Sequence, residues 1–434
     1  MVVNRDPAPV RDDPDVVVVG GGVAGLFCAY YLRLGGASVT VLERGALGGP
    51  QSCSYGNTGF VGSHGAAPLA EPGMRSLRAL GMLRPDAPWY IEPRADAELL
   101  RWLWHFRRAC SAEAAAAGFR VLAGMKRRSL ELLDALCSSE NFAAELDSPG
   151  IVLTFKSARG FAEASRAVPR AVDNGIPLRV LGPDELGELE PKTRFDIHGA
   201  LYNPEGAYLH VPEFVTEFGR MLRDLGVEIC EHTEVTGFET EWRRVRLLRT
   251  NRGEFRPADV VVAAGAWSAD CARMAGIGLL LQPVKGYSVT MERPASAPSR
   301  PVLLSEGRIA MVPLGERLRV GGRLELTGMN GAAADRRVRA MLRTVRDYLP
   351  ALEETRILET WSGFRPCTPD SLPLIGRAGD FGNLLVAAGH GHIGMGLAPA
   401  GGELVGQLLS GAQPVTDPIP LRPNRFGGGH AKRG

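Results

Sequence analysis

Lysine is scarce in this 434-residue chain: five residues (Lys126, Lys156, Lys192, Lys285 and Lys432) among 50 basic side chains, the rest being arginine. Charge of one sign is also missing. Fifty basic and 48 acidic residues leave a net +2, so there is no polyanion footprint and no nucleic-acid partner is expected. Cysteine numbers seven (28, 53, 110, 137, 230, 271 and 367), an odd total with no CxxC pair. That speaks against a disulfide framework and against a zinc or iron–sulfur site, and favours a reducing compartment; no metal site is expected. Long hydrophobic runs are broken. Val16 to Leu32 carries no charge, but three aspartates precede it and three consecutive glycines interrupt it. Phe381 to Gly402 is uncharged over 22 residues, yet holds seven glycines, Asn383, His390, His392 and Pro399. No transmembrane helix is expected. What is abundant is glycine, 54 of 434 residues or about 12%, against ~7% in an average protein. With 45% apolar and 23% charged residues, the rest reads as a globular chain with two to three domains' worth of core.

Asp15 to Gly20 is a β-branched run of the kind a buried parallel strand needs. Gly20, Gly22 and Gly25 form GxGxxG, followed by an apolar helical stretch to Leu34 and a second strand, Ser38 to Leu42, closing on Glu43. The pattern predicts a βαβ dinucleotide-binding unit. Gly20 makes the tight turn, Gly22 lets a pyrophosphate reach backbone, and Gly25 lets helix and strand pack closely. The helix N-terminus supplies partial positive charge, and Glu43 accepts from the adenosine ribose. This unit alone does not separate FAD from NAD. Beyond it lie a polar loop, Ser52 to Gly59, and two further strand–glycine–helix patterns, Asp259 to Ser268 and Asn383 to about Leu409.

Six segments together resemble the D-amino acid oxidase (DAO) superfamily of FAD-dependent enzymes, and most closely its D-amino acid dehydrogenase branch. They are GGGVAGL with Glu43-Arg44, SYGNTG at 54–59, VVAAGAWS at 261–268, QPVKGYSVT at 282–290, GFRPCTPDSLPLIG at 363–376 and AAGHGHIG at 387–394. The resemblance implies a mixed α/β fold. A Rossmann-like FAD domain would be assembled from 14–93, 202–282 and 361–412, and a mixed-sheet substrate domain from 94–201 and 283–360, with tails 1–13 and 413–434. It implies FAD contacts at Gly20, Gly22, Val23, Ala24, Gly25, Glu43 and Arg44, and in the polar loop at Ser54, Asn57, Thr58 and Gly59. Further contacts fall at Val235, Ala264, Gly265 and Trp267, and at Gly391, His392, Ile393, Gly394 and Met395. The implied reaction is oxidation of an amino acid Cα–N bond by hydride transfer to the flavin.

Such a site must bind, orient and deprotonate rather than supply a nucleophile. Arg365 matches the family's carboxylate-binding arginine, whose planar guanidinium grips a carboxylate with two parallel hydrogen bonds. His392, with His390 beside it, lies on the loop expected to face the flavin. Tyr287 and His64 are further candidates for the catalytic pocket, the plain alternatives being a core tyrosine for Tyr287 and a helix N-terminal histidine for His392. Departures from relatives matter as well. The oxygen-activating lysine of monomeric sarcosine oxidase falls at Arg319, and its carboxylate-binding lysine at Gly396. The covalent flavin positions of relatives fall near Gly363 and at Gly56, which implies noncovalent FAD. The acceptor expected is a quinone or a redox partner rather than oxygen. The expected substrate is a D-amino acid or a cyclic imino acid such as hydroxyproline. Alternatives are an oxygen-using amine or glycine oxidase and a flavin subunit of a multi-protein amine dehydrogenase. Leu99 to Arg128 interleaves tryptophans with arginines; it reads as a substrate-domain helix with a buried aromatic face, the alternative being peripheral contact with the inner face of the membrane. The expected location is the cytoplasm.

Overall fold

A computed structural model of the chain describes residues 14–62, 68–75, 82, 84, 87–140, 142–330, 335–352 and 354–427. Two large sheets organise it. The first has six strands in the order Leu374–Arg377, Leu384–Ala388, Asp259–Val262, Val16–Val19, Val39–Leu42, Glu228–Cys230. All pair in parallel except Leu374–Arg377, which runs antiparallel to Leu384–Ala388. Val16–Val19 is buried on both faces, which is why it reads as an unbroken β-branched run rather than an alternating one. Helix Val23–Leu34 covers one face together with the last helix, Ala398–Ser410. The two approach closely because Gly402 has no side chain: a Cβ there would lie 2.5 Å from the Phe27 backbone carbon. Beneath them Phe27, Phe142, Phe214 and Phe218 form an aromatic cluster, with Phe27 and Phe218 centroids 4.7 Å apart.

The second sheet is mixed and nine-stranded, led by the long antiparallel strands Ile357–Cys367, Gln282–Glu292 and Arg317–Leu326. Helix Asp335–Tyr348 buries Val338, Met341 and Val345 in its core and ends before Pro350. Sheet membership differs from the sequence-drawn bounds at four places. Trp89–Ile91 pairs with Arg317–Leu326 of this sheet; Gly199–Asn203, Gln282–Glu292 and Ile357–Cys367 each run through a bound, at 201/202, 282/283 and 360/361, as single strands. Hydrogen-bonded pairing set these edges, and no composition change marks it.

The helical region from Leu99 to Leu136 is two helices, Ala97–Ala109 and Ala112–Cys137, the second capped by Ser111 accepting from Ala114 N–H at 3.1 Å. Leu99, Trp102 and Phe106 are buried, with the two rings stacked at 5.2 Å, whereas Leu100 and Trp104 are exposed. Among the described residues no helix is long and apolar enough to cross a membrane.

Candidate active site

The carboxyl ends of the parallel strands Val16–Val19, Val39–Leu42, Asp259–Val262 and Leu384–Ala388 open on one cleft of about 1220 Å³. This is where open parallel sheets place ligands. Three glycines shape its floor in different ways. Gly20 has φ +111°, and a Cβ on it would lie 2.5 Å from the Ala263 carbonyl oxygen. A Cβ on Gly25 would lie 1.8 Å from the Gly20 oxygen, so this glycine serves packing and does not line the cleft. A Cβ on Gly22 would meet Ser54 Oγ at 3.5 Å and Ser52 Oγ at 3.8 Å and no backbone, leaving the space above it to a ligand. Helix Val23–Leu34 starts here with no side-chain cap and no acidic residue in its first turn; Val23 N–H donates to Ser54 Oγ at 3.3 Å. Such an end favours an anion. Glu43 is held by Gly21 N–H at 2.7 Å and Gly45 N–H at 2.9 Å, one to each carboxylate oxygen, which fixes it at the rim with lone pairs to spare. Arg44 lies over the Trp267 ring at 4.1 Å. An uncapped helix end, a glycine floor and a fixed carboxylate suit a dinucleotide diphosphate with its ribose, so the residues present fit FAD.

Val23, Ala24, Asn57, Val235, Ala264, Gly265, Gly391 and Gly394 also line the cleft. So do Ser52 and Cys53 of the polar loop, and Gln51, Thr233 and Pro366, which sequence reasoning missed; long-range folding brings these residues to the wall. Thr58, Gly59 and Met395 do not line it: Thr58 packs on Gly321, Gly59 turns with φ +78° against Leu209, and Met395 is buried. Ile393 and His392 line a small neighbouring recess with Leu69, Leu122, Cys367 and Ser371. His64 lies outside the described residues.

Arg319 does not stand free beside the cleft. It is buried and clamps the polar loop to the nine-stranded sheet, donating from Nη1 to Tyr55 O at 2.8 Å and from Nε to Thr290 Oγ1 at 3.2 Å. Trp361 completes the clamp through Nε1 to Pro50 O at 2.6 Å. Its ring also lies across the two positions where relatives attach flavin: a Cβ would come within 1.9 Å of it on Gly56 and 2.3 Å on Gly363.

Arg365 reaches across its neighbour strand. Its strand partner is Val284, and its guanidinium lies where a Cβ on Gly286 would be, 1.3 Å from Nη1. Nη1 donates to Arg323 O at 3.2 Å; among the described residues no carboxylate pairs with Arg365. That carbonyl is presented by a bulge, since the register with Gln282–Glu292 shifts between Lys285 and Tyr287 and Arg323 has φ +62°. Gly286→Ala is therefore expected to displace the guanidinium while leaving FAD bound. Substrate KM should rise at least about tenfold, as when a charge-assisted hydrogen bond is removed. An unchanged KM would show that Arg365 does not hold the substrate.

Tyr287 is a correction to the sequence reading. Successive residues of a strand point to opposite faces, and Gly286 shares the Arg365 face, so Tyr287 points away. It is buried, donates to Glu325 Oε2 at 2.9 Å, and belongs to the core under helix Asp335–Tyr348, not to the cleft wall. Glu325 in turn pairs with Arg337.

The two loop histidines differ in surroundings. His390 is buried and lines both cleft and recess, and burial pulls its imidazole down to about 4. His392 is exposed to the recess; crowding by protein, then the positive charges of Arg365, Lys126 and Arg308, favour its neutral form. Lys126, inside the Leu99–Arg128 stretch, was not singled out by the sequence. It is 2% exposed, and its Cε lies 3.3 Å from where a Cβ on Gly396 would be; burial pulls its ammonium down to about 7. The signal was present in the spacing, since Lys126 shares a helix face with Leu122, Ser129 and Leu133.

A buried neutral histidine makes stability pH-dependent. The folded state holds His390 near 4 and the unfolded chain near 6.5, so above 6.5 neither state binds the proton. Below that the unfolded chain takes it up first, and stability is lost progressively towards pH 4. Melting temperatures should thus fall less steeply with acid in His390→Gln than in the wild type, and equal slopes would place the imidazole in solvent.

A family profile described as FAD dependent oxidoreductase (DAO) matches residues 15–408. The chain is 30% identical to D-amino acid dehydrogenase 2 of Mesorhizobium japonicum over 94% of this chain and 99% of that protein. Among solved structures, glycine oxidase from Geobacillus kaustophilus superposes with a TM-score of 0.77 at 23% identity, covering 95% of this chain and 98% of that one. L-proline dehydrogenase from P. horikoshii gives 0.75 at 22%, covering 97% and 99%. With its cleft and its mixed α/β fold, the chain belongs to the DAO family of FAD-dependent oxidoreductases. It is an enzyme of that class with FAD as its cofactor, and within the family it is a homologue of D-amino acid dehydrogenase.

Proposed function

We propose that this enzyme oxidises a free D-amino acid, or a cyclic imino acid of the hydroxyproline kind, to the imino acid and passes the electrons to a quinone or another non-oxygen acceptor. One observation carries the substrate half of this reading: Arg365 is partly buried beside the cleft, keeps one protein hydrogen bond, and has no carboxylate partner among the described residues. A guanidinium so placed is set for a ligand carboxylate, held bidentate. Holding the carboxylate fixes Cα, which is most of what the protein must do to make transfer unimolecular. FAD, when bound, supplies the acceptor for the hydride leaving Cα. His392, favoured neutral, offers a lone pair for the amine proton without adding a cation beside a protonated substrate. The FAD-binding and substrate-binding parts follow the two sheets, with the cleft opening between the first sheet and the Pro366 end of the second. The D configuration is taken from the Mesorhizobium relative's name.

The acceptor half rests on Arg319. A side chain occupied with Tyr55 O, Thr290 and Glu359 is not available to activate oxygen. Anaerobic mixing with D- and L-amino acids should bleach the bound flavin with the D series, and reoxidation should be faster with a soluble quinone than with oxygen. Bleaching by the L series alone, or stoichiometric peroxide at the quinone rate, would overturn the corresponding half.

A further inference from the structure

Two guanidinium groups reach the end of the nine-stranded sheet that meets the His392 loop. Arg365 lies across Gly286 and donates to Arg323 O at 3.2 Å. Arg308 closes the turn that starts at Ser305, its N–H donating to Ser305 O at 3.3 Å, and it has φ +50°, a conformation arginine rarely adopts. The next residue, Ile309, pairs with Gly322, and a Cβ on Gly322 would lie 3.1 Å from the Arg308 carbonyl oxygen. Arg308 thus stands beside the Gly322–Arg323 bulge whose carbonyl Arg365 grips. Ile309 points into the core with Tyr287, whereas Arg308 reaches to Glu71, two residues after Leu69 of the His392 recess. The strongest charges acting on His392 are all cations, Arg308 among them.

Arg308 is weakly neutralised. Its carboxylate partner among the described residues, Glu71, stands 3.6 Å away, beyond hydrogen-bond reach, with side-chain exposures of 35% and 47%. Two guanidiniums that flank one bulge and both act on His392 repel each other unless anions enter between them, and each is built to hold a carboxylate. We propose that the preferred substrate is an amino dicarboxylic acid, its α-carboxylate on Arg365 and its distal carboxylate on Arg308. This rests on the reading of Arg365 given above and adds the side-chain class. In the free enzyme Glu71 occupies the place that the substrate's distal carboxylate takes over.

Each acidic amino acid has a near-isosteric neutral partner, so the test is a pairwise comparison on holoenzyme of confirmed FAD content. Anaerobic flavin reduction and steady-state kinetics are measured with D-glutamate against D-glutamine and D-aspartate against D-asparagine. At least one acid should exceed its amide in kcat/KM by about tenfold or more, the usual cost of replacing a paired charge by a neutral isostere. Arg308→Gln should collapse that ratio towards one. Glu71→Gln should move the other way, lowering KM for the acid and not for the amide, because the competing carboxylate has gone. A wild type that prefers both amides overturns the proposal even if neither variant folds. Equal losses on acid and amide in Arg308→Gln and Glu71→Gln also overturn it, since they describe a latch and not a subsite. If neutral D-amino acids bleach the flavin and the acids do not, only the second carboxylate fails; if no amino acid does, the reading of Arg365 fails with it.

Discussion

Gly22→Val should give a folded but colourless protein, and Gly25→Val one that neither binds flavin nor folds normally. The two glycines lie three residues apart on one motif, yet face different partners. A side chain on Gly22 meets no backbone, its nearest neighbour being Ser54 Oγ at 3.5 Å, so the fold tolerates valine and only the diphosphate loses its place. At Gly25 a Cβ lies 1.8 Å from the Gly20 oxygen, and helix Val23–Leu34 would have to leave the sheet. Overpacking of this kind costs ~1–3 kcal/mol where neighbours can shift, and here the neighbour is backbone. Circular dichroism and flavin absorbance on the two purified variants separate the effects; FAD retained by Gly22→Val would remove the diphosphate from that position. In the wild type, acid denaturation should release all the flavin as free FAD, because the Trp361 ring leaves no room for an attaching side chain at Gly56 or Gly363. Flavin remaining with the precipitate would contradict that.

Arg365→Ala should lose productive amino-acid binding worth about 2–5 kcal/mol, as truncating one partner of a buried charge pair does, while FAD content stays near normal. Arg365→Lys should fall between, because an ammonium keeps the charge and gives up the planar fork. The reductive step should slow as well as weaken, since a loosened carboxylate lets Cα drift from its reacting position. Wild-type affinity in Arg365→Ala would move the carboxylate elsewhere, with Arg308 the next cation to examine.

Local patterns in the chain revealed the parts of the cleft that local structure builds. The run at Val16–Val19, the glycines that follow and Glu43 are contiguous, and each does its work through backbone geometry that the residue type itself demands. The substrate side was harder. Arg365 and Tyr287 stand on paired strands, and which of them faces the cleft depends on register and on the bulge at Arg323, neither written in either strand alone. Gln51, Ser52 and Cys53 reach the wall because Arg319 and Trp361, some 260 to 310 positions away in sequence, clamp their loop. Arg319 itself looked like a replaced catalytic group and is a tie between sheet and loop. Lys126 has basic neighbours in Arg127 and Arg128, but the helix face it shares with Leu122 and Leu133 turns it inward.

Stopped-flow flavin reduction by one D-amino acid and by its decarboxylated amine, on the wild type and on Arg365→Ala, tests the central claim most directly. The wild type should reduce with the amino acid far faster than with the amine, and the substitution should remove most of that difference by slowing the amino acid alone. Equal reduction by amino acid and amine in the wild type, or an equal loss on both in Arg365→Ala, would contradict a carboxylate held by Arg365 and with it the assignment of amino-acid oxidation to this cleft.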